Sequence, residues 1–203
     1  TFGARIYKQY GSFSLEVLEN HPYRLAQEDS GIGFKIADTI AGSLGIKQDD
    51  PARIAAGVDY ALTQISLSGH CCIPEVPLAQ RAARLLQVTP EAVLAVMKKQ
   101  LAMQRLAAES AGGQTLIYPP YLYRAETRTA ELLLFLKKEA GRISLPSTPE
   151  GIVRQWERAA GLTLAEGQRR AIEGALTQGV FVLTGGPGTG KTTVVRGMIE
   201  LLE

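Results

Sequence analysis

The residues of this chain that point most directly to chemistry form a glycine-rich run near its C-terminal end. Residues 185–192 fit the pattern G-x-x-x-x-G-K-[ST], whose main-chain N–H groups wrap around the phosphates of a nucleotide. Lys191 is the catalytic candidate, because its ammonium would reach the β- and γ-phosphates, and the Thr192 hydroxyl would bind Mg²⁺. The predicted phosphate-binding residues are Gly185, Gly186, Pro187, Gly188, Thr189, Gly190, Lys191, Thr192 and Thr193.

A strand before this loop and a helix after it must position these groups. The apolar run of residues 180–183 predicts the strand, and a helix predicted to begin near Gly190 would add the positive end of its dipole. Gly185, Gly188 and Gly190 are predicted to adopt backbone angles that a Cβ would forbid. The alternative is a glycine-rich strand-to-helix turn without a ligand, which the match of the whole pattern and its flanks disfavours.

A second feature lies on the helix predicted before that strand. The spacing of Thr163 and Glu166 predicts a capping box that opens a helix running to about Thr177. On this helix Gln168 carries an amide that can both donate to and accept from the edge of an adenine. The alternative is a surface glutamine that contacts only solvent.

Near the other end of the chain, two short predicted helices flank a Gly-Ile-Gly sequence. Residues 14–20 and 34–44 predict these helices, and Gly31 and Gly33 would expose main-chain N–H groups at the start of the second. Such groups hold a DNA phosphate without reading sequence, and Lys35 would add a charge-assisted contact. Ile32 is predicted to point inward and lock the two helices. The predicted DNA-binding residues are therefore Gly31, Ile32, Gly33 and Lys35; the alternative is a tight helical turn.

Residues 49–145 read as mainly helical, with a small β element. Helices are predicted at about 51–68, 77–88, 89–101 and 124–140, and short strands at 115–118 and 121–123. This order favours a winged-helix-like module. Tyr118, Tyr121 and Tyr123 could stack on bases, although strand residues alternate faces and at least one of them is predicted to be in the core. A linker is predicted at 141–147.

Composition limits the class of protein. The 203 residues are 45% hydrophobic with a net charge of +2, so no charge footprint for nucleic acid spans the whole chain. Residues 98–142 carry eight Lys or Arg against four Asp or Glu, which fits either a nucleic-acid surface or an ordinary solvated face. Cys71 and Cys72 are adjacent, which predicts small buried thiols rather than a disulfide or a metal site. The chain has no leader or membrane-length apolar run, so the default expectation is a cytoplasmic protein without a membrane.

Several phrases together resemble one family. The phosphate loop, the helix around Gln168, the Gly-Ile-Gly hairpin and the flanking sequence of residues 20–25 and 37–46 resemble RecD-like superfamily 1 DNA helicases with an N-terminal extension. The resemblance implies a multidomain fold with a mainly α N-terminal region, followed by the start of a P-loop α/β RecA-like motor. It implies a helix-hairpin-helix region at 1–48, a helical or winged-helix-like domain at 49–145 and the start of the ATPase domain at 146–203.

The same resemblance implies an ATP-dependent helicase that moves 5′ to 3′ on single-stranded DNA. ATP and Mg²⁺ are the implied cofactors, and single-stranded DNA or a junction of single- and double-stranded DNA is the implied partner. No Walker B acid, arginine finger or second motor lobe follows Lys191, so we expect a piece of a longer polypeptide that is inactive alone. The alternatives are a DNA-binding or complex-assembly protein with a vestigial nucleotide site, or another P-loop nucleotide enzyme.

Overall fold

Helices dominate this chain, in keeping with the periodic apolar patterns of its sequence. The computed structural model describes residues 2–27, 31–139 and 144–202. Their contacts divide the chain into two units, Thr1–Glu126 and Thr127–Glu203, and each unit has its own apolar core.

The first unit begins with four short helices that enclose the Gly-Ile-Gly loop. They are α1 (Phe2–Tyr10), α2 (Ser14–Asn20), α3 (Arg24–Gln27) and α4 (Phe34–Ser43), with a 3₁₀ turn at Gly11–Phe13. The predicted helix at 14–20 is confirmed, and Ile32 is 3% exposed, as predicted. Leu44 is 48% exposed, because α4 ends at Ser43 and Gly45 turns the chain with a φ of 86°.

Three longer helices complete the α part of this unit. They are α5 (Pro51–Leu67), α6 (Glu75–Leu86) and α7 (Pro90–Ala102). Local caps set their starts: the Asp50 carboxylate accepts from the Ala52 and Arg53 amides, and the Thr89 hydroxyl accepts from the Ala92 amide. The inward face of α5 consists of residues 54, 58, 62 and 65, which are all buried. Leu85 of α6 lies on the exposed side of its helix.

A three-stranded antiparallel sheet packs with these helices. Its strands are β1 (Ile73–Pro74), β2 (Ala107–Ala111) and β3 (Gln114–Tyr118), in the spatial order β1–β3–β2. The strand predicted at 115–118 is thus confirmed, but the one predicted at 121–123 is wrong. Those residues lie in α8 (Pro120–Glu139), because Pro120 suits the first position of a helix. Sequence analysis missed β2, whose small residues have low β-propensity.

One arginine ties the hairpin helices to the longer ones. The Arg53 guanidinium donates to both carboxylate oxygens of Asp38 on α4, from Nε at 2.9 Å and from Nη2 at 3.0 Å. Its Nη1 also donates to the carbonyls of Gln48 and Leu86, and the Tyr23 hydroxyl donates to Asp38 Oδ1. A half-buried bidentate pair of this kind holds α4 in one orientation against α5 and α6.

The second unit is built on three helices around one tryptophan. They are α9 (Pro149–Ala160), α10 (Glu166–Thr177) and α11 (Lys191–Leu202). Trp156 is buried, and its Nε1 donates to Glu200 Oε2 at 2.7 Å. The helices approach closely at Gly197, where a Cβ would lie 2.8 Å from Ile172 Cδ1.

The strand predicted before the phosphate loop is not formed among the described residues. Residues 181–184 have no regular secondary structure, and Val182 is 77% exposed. The physical reason is that a strand needs a neighbouring strand to receive its backbone hydrogen bonds, and the described part of this unit supplies none. The predicted linker at 141–147 falls partly on residues 140–143, which lie outside the described residues.

Candidate functional site

A cavity of about 360 Å³ brings the two predicted nucleotide-binding elements together. Gln168 on α10 and Lys191 on α11 both line it, together with Leu183, Gly185 and Thr189. The apolar contacts of α9, α10 and α11 position both helix starts at its edge. Sequence analysis predicted both residues separately, and the fold places them in one pocket.

The phosphate loop takes the conformation that its glycines permit. Gly188 and Gly190 have φ values of 77° and 78°, in the left-handed region that favours glycine. Gly185 was expected to share this property but does not. A Cβ at Gly185 would instead lie 2.8 Å from Thr189 Oγ1, which donates to the Gly186 carbonyl at 2.9 Å. Close approach within the loop is therefore the reason for glycine at this position.

Lys191 is held inside the loop. Its Nζ donates to the Gly185 and Gly186 carbonyls at 2.7 and 2.6 Å. Lys191 is also the first residue of α11, whose first main-chain bond runs from the Val194 amide to the Gly190 carbonyl. An ammonium group at a helix N-terminus concentrates positive charge at one point, which suits a phosphate group.

Gln168 connects α10 to the loop. Its Oε1 accepts from the Ala165 amide at 2.9 Å, and its Nε2 donates to the Thr189 carbonyl at 3.1 Å. The predicted capping box at 163–166 is therefore wrong, because α10 begins at Glu166 and Gln168 itself caps it. A side-chain amide has two N–H donors and an oxygen with two lone pairs, so one donor and one lone pair are left over for a ligand.

An ion pair that sequence analysis missed fixes the start of α10. The buried Glu157 carboxylate accepts from Arg169 at 2.9 and 3.1 Å and from the Leu164 amide at 2.6 Å. The Arg169 guanidinium, followed by the Leu164 N–H, holds the pKa of Glu157 below its usual range. Because Arg169 adjoins Gln168 in α10, this pair orients the helix turn that carries the amide. No spacing rule predicts it, since the partners lie on different helices.

The Gly-Ile-Gly loop opens α4 as predicted, with different roles for its two glycines. Gly31 has a φ of 66° and requires glycine, whereas Gly33 caps α4 in an extended conformation and accepts from the Ile36 amide at 3.0 Å. Lys35 is exposed in the first turn of α4. Sequence analysis missed Arg5 of α1, whose Nη1 lies 3.2 Å from the position of a Cβ on Gly31. Two cations from different helices therefore flank the loop.

Two other groups of candidates fall outside these sites. Tyr118 is 4% exposed, packs edge-to-face on Tyr123 at 5.3 Å and donates to Glu109, so it belongs to the core; Tyr121 is exposed. Cys71 is exposed and Cys72 is half-buried, which corrects the expectation of buried thiols. The described residues contain no helix long and apolar enough to cross a membrane.

Two family models match the chain. One, described as the ATP-dependent RecD2 DNA helicase HHH domain, matches residues 1–72, and one described as an AAA domain matches residues 168–203. The first match contains the Gly31–Gly33 loop, and the second contains Gln168 and the whole phosphate loop.

Similar proteins carry related descriptions. The ATP-dependent RecD2 DNA helicase of Deinococcus radiodurans is 30% identical over 211 residues, which is 98% of this chain and 28% of that protein. The RecBCD enzyme subunit RecD of Mycobacterium tuberculosis is 69% identical over 35 residues, covering 17% of this chain and 6% of that protein. The corresponding subunit of Mycolicibacterium smegmatis is 52% identical over 54 residues, covering 27% and 10%. The chain spans less than a third of the length of these relatives.

Proposed function

Because the chain is related to RecD-like DNA helicases in both its hairpin region and its phosphate-loop region, we propose that it belongs to an ATP-dependent DNA helicase. This protein hydrolyses ATP, moves 5′ to 3′ on single-stranded DNA and separates the strands at a junction with duplex. The observation that carries the proposal is the single cavity lined by Gln168 and Lys191, since it pairs a base-reading amide with a phosphate-binding ammonium.

The residues of the cavity fit ATP with Mg²⁺. The left-handed glycines at 188 and 190 leave room for phosphate oxygens beside the main chain, where a Cβ would intrude. When ATP binds, the Lys191 ammonium donates to β- and γ-phosphate oxygens in place of the Gly185 and Gly186 carbonyls. The Thr192 hydroxyl is exposed at the start of α11 and binds the metal ion. Residues 185–193 together form the phosphate cradle.

Gln168 selects adenine among the bases. Its remaining N–H donates to the ring nitrogen on the outer edge of the base, and its remaining lone pair accepts from the exocyclic amine. Guanine carries an oxygen where adenine has that amine. In a guanine nucleotide this oxygen would face the Gln168 side-chain oxygen, and two acceptors cannot form a hydrogen bond. Bound ATP supplies the phosphoryl group whose hydrolysis drives movement, and Lys191 stabilises the negative charge that develops on its oxygens.

The hairpin region supplies DNA contacts that do not depend on sequence. The main-chain N–H groups of Gly31 and Gly33 and the Lys35 ammonium hold a backbone phosphate, while buried Ile32 keeps the loop closed. Support comes from the burial pattern of the loop: Gly31, Gly33 and Lys35 are exposed, whereas Ile32 between the two glycines is in the core. Contacts of this kind suit a motor that must accept every sequence.

The domain organisation follows the same proposal. The hairpin region occupies residues 1–48, a winged-helix-like module lies within 49–145, and the ATPase domain starts at 146. The order α5–β1–α6–α7–β2–β3, with β3 central in the sheet, supports the winged-helix interpretation. Folding of residues 180–183 as a strand then requires a neighbouring strand of the motor sheet.

The test uses the intact protein and three DNA substrates: a duplex with a 5′ single-stranded tail, one with a 3′ tail, and a blunt duplex. ATP should drive unwinding of the 5′-tailed substrate alone, and Lys191→Ala should abolish it while DNA binding remains. Unwinding only from a 3′ tail would overturn the polarity. Absence of DNA-stimulated ATP hydrolysis, with binding intact, would favour an assembly protein with a vestigial nucleotide site.

A further inference from the structure

A second positively charged surface lies on α6 and α7, within the first unit. The two helices are joined by residues 87–89, and Gln87 turns the chain in the left-handed region, with φ 57° and ψ 44°. Two helices joined by a turn of three or four residues are the arrangement of a helix-turn-helix. We propose that this pair binds the backbone of duplex DNA, at a site separate from the Gly31–Gly33 loop, as the DNA-binding face of the winged-helix-like module.

The two sides of α7 differ in the way that such a role requires. Its buried side consists of Val93, Val96, Met97 and Gln100. Its exposed side carries the small residues Ala95 and Ala102 and the cations Lys98 and Lys99. Small side chains allow the helix to approach a groove closely, and ammonium groups at its edge reach phosphates. Contacts of these ammonium groups with backbone phosphates do not depend on sequence.

The charges of α6 extend the surface. Arg81 and Arg84 are exposed on α6, and the ion pairs between described residues leave both of them, like Lys98 and Lys99, without a carboxylate partner. The exposed acid in this helix pair is Glu91, in the first turn of α7. The two helices thus expose four cations against Glu91 and the half-buried Glu75, and this positive balance complements the charge of a phosphate backbone.

Duplex DNA fits this surface better than single-stranded DNA or a protein. Neither helix contains an aromatic residue, so the surface offers nothing on which unpaired bases could stack. Its cations outnumber its exposed large apolar residues, Val76 and Leu85, whereas the core of a protein interface is depleted of charge. The β2–β3 hairpin adds polar groups at Ser110 and Gln114 beside a two-glycine turn, in the position of a wing.

The test compares two lysine pairs in the intact protein, without nucleotide. Lys98→Ala with Lys99→Ala removes two cations from the proposed surface. Lys137→Ala with Lys138→Ala removes two from exposed positions on α8 and serves as the matched control. Affinity for a blunt duplex and for single-stranded DNA is measured over a series of salt concentrations. A third variant, Lys35→Ala, reports on the hairpin loop.

The association constant for the blunt duplex falls as the salt concentration rises. In the 98/99 variant, the logarithmic slope of this fall should become about 1.8 less steep, because each lost phosphate contact contributes about 0.9. The control should leave the slope unchanged, and single-stranded binding and ATP hydrolysis should match the parent protein. Lys98→Arg with Lys99→Arg should restore duplex affinity. An unchanged slope in the 98/99 variant, an equal loss in the control, or an equal loss on single-stranded DNA would overturn the proposal. If the 98/99 variant kept its affinity for duplex DNA but no longer bound a protein partner, the surface would belong to that partner instead.

Discussion

The side-chain Nε2 of Gln168 lies 3.1 Å from the backbone oxygen of Thr189 and donates a hydrogen bond to it. The residue proposed to recognise adenine is therefore in direct contact with the loop proposed to hold the phosphates. A Cβ on Gly190 would also collide with the Gln168 amide. Base recognition and the shape of the phosphate loop thus share one side chain.

Substitutions of Gln168 can separate its capping role from its role at the ligand. Gln168→Glu keeps an acceptor for the Ala165 amide, whereas Gln168→Ala removes it and should cost about 1 kcal/mol of unfolding free energy. Both variants lose the amide donor, so both should lose the preference for ATP over GTP. We would measure urea unfolding and the KM for each nucleotide. If either variant kept its adenine preference, the base-reading role would be wrong.

Lys191 should matter for catalysis more than for folding. Lys191→Ala removes the ammonium that stabilises phosphate charge, and turnover should fall by roughly 10²–10³-fold, as when a catalytic charge donor is removed. Lys191→Arg keeps the charge but not its compact shape between the Gly185 and Gly186 carbonyls, so it should rescue little. DNA-stimulated ATP hydrolysis and DNA affinity are the measurements. Equal loss of both would point to misfolding.

The Arg53–Asp38 pair should stabilise the first unit through its geometry. Arg53→Lys retains the charge but cannot form the bidentate pair and the two carbonyl contacts together, and should cost about 2–3 kcal/mol. Arg154→Lys is the matched control, because the Arg154–Glu150 pair is exposed on both sides and should change stability by less than about 0.5 kcal/mol. Urea unfolding followed by far-ultraviolet circular dichroism compares the two. Similar small effects would show that the charge alone matters.

Close packing of α5 against α6 should make Gly57 irreplaceable. A Cβ there would lie 2.6 Å from Leu86 Cδ1, and Leu86 is buried and cannot move aside freely. Gly57→Ala should therefore destabilise the protein by about 1–3 kcal/mol. Gly42→Ala in α4 meets no atom within 4 Å and should be neutral or stabilising, because alanine favours a helix. A stable Gly57→Ala protein would contradict the packing of these helices.

Acid should weaken the contact between Glu157 and Arg169. The folded-state pKa of Glu157 is lowered from 4.5, chiefly by the Arg169 hydrogen bonds, so its contribution is complete above pH 4.5. The contribution is lost as pH falls through the lower folded-state pKa. Unfolding of the parent protein and of Glu157→Gln, followed by Trp156 fluorescence, should differ most at neutral pH and converge in acid. A difference that stays constant from pH 7 to pH 3 would contradict this role.

The parts of this protein that local sequence determines are its helix starts and its loops. The Asp50 and Thr89 caps each bond to an amide two or three residues onward, so sequence analysis could place the starts of α5 and α7 within a few residues. The Gly-Ile-Gly turn and the phosphate loop are likewise runs of adjacent residues, whose backbone angles depend on glycine itself. The Gln168–Thr189 hydrogen bond then ties the phosphate loop to α10.

The tertiary structure alone decided the relationships between distant residues. Pairing of β2 with β3, the Arg53–Asp38 contact, the Glu157–Arg169 pair and the Gln168–Thr189 hydrogen bond each join separate elements. The strand expected at 180–183 failed for the same reason, since a strand exists only beside another strand. Local sequence thus predicted where each loop lies along the chain. The packing of the apolar faces of the helices determined which side chains share a cavity.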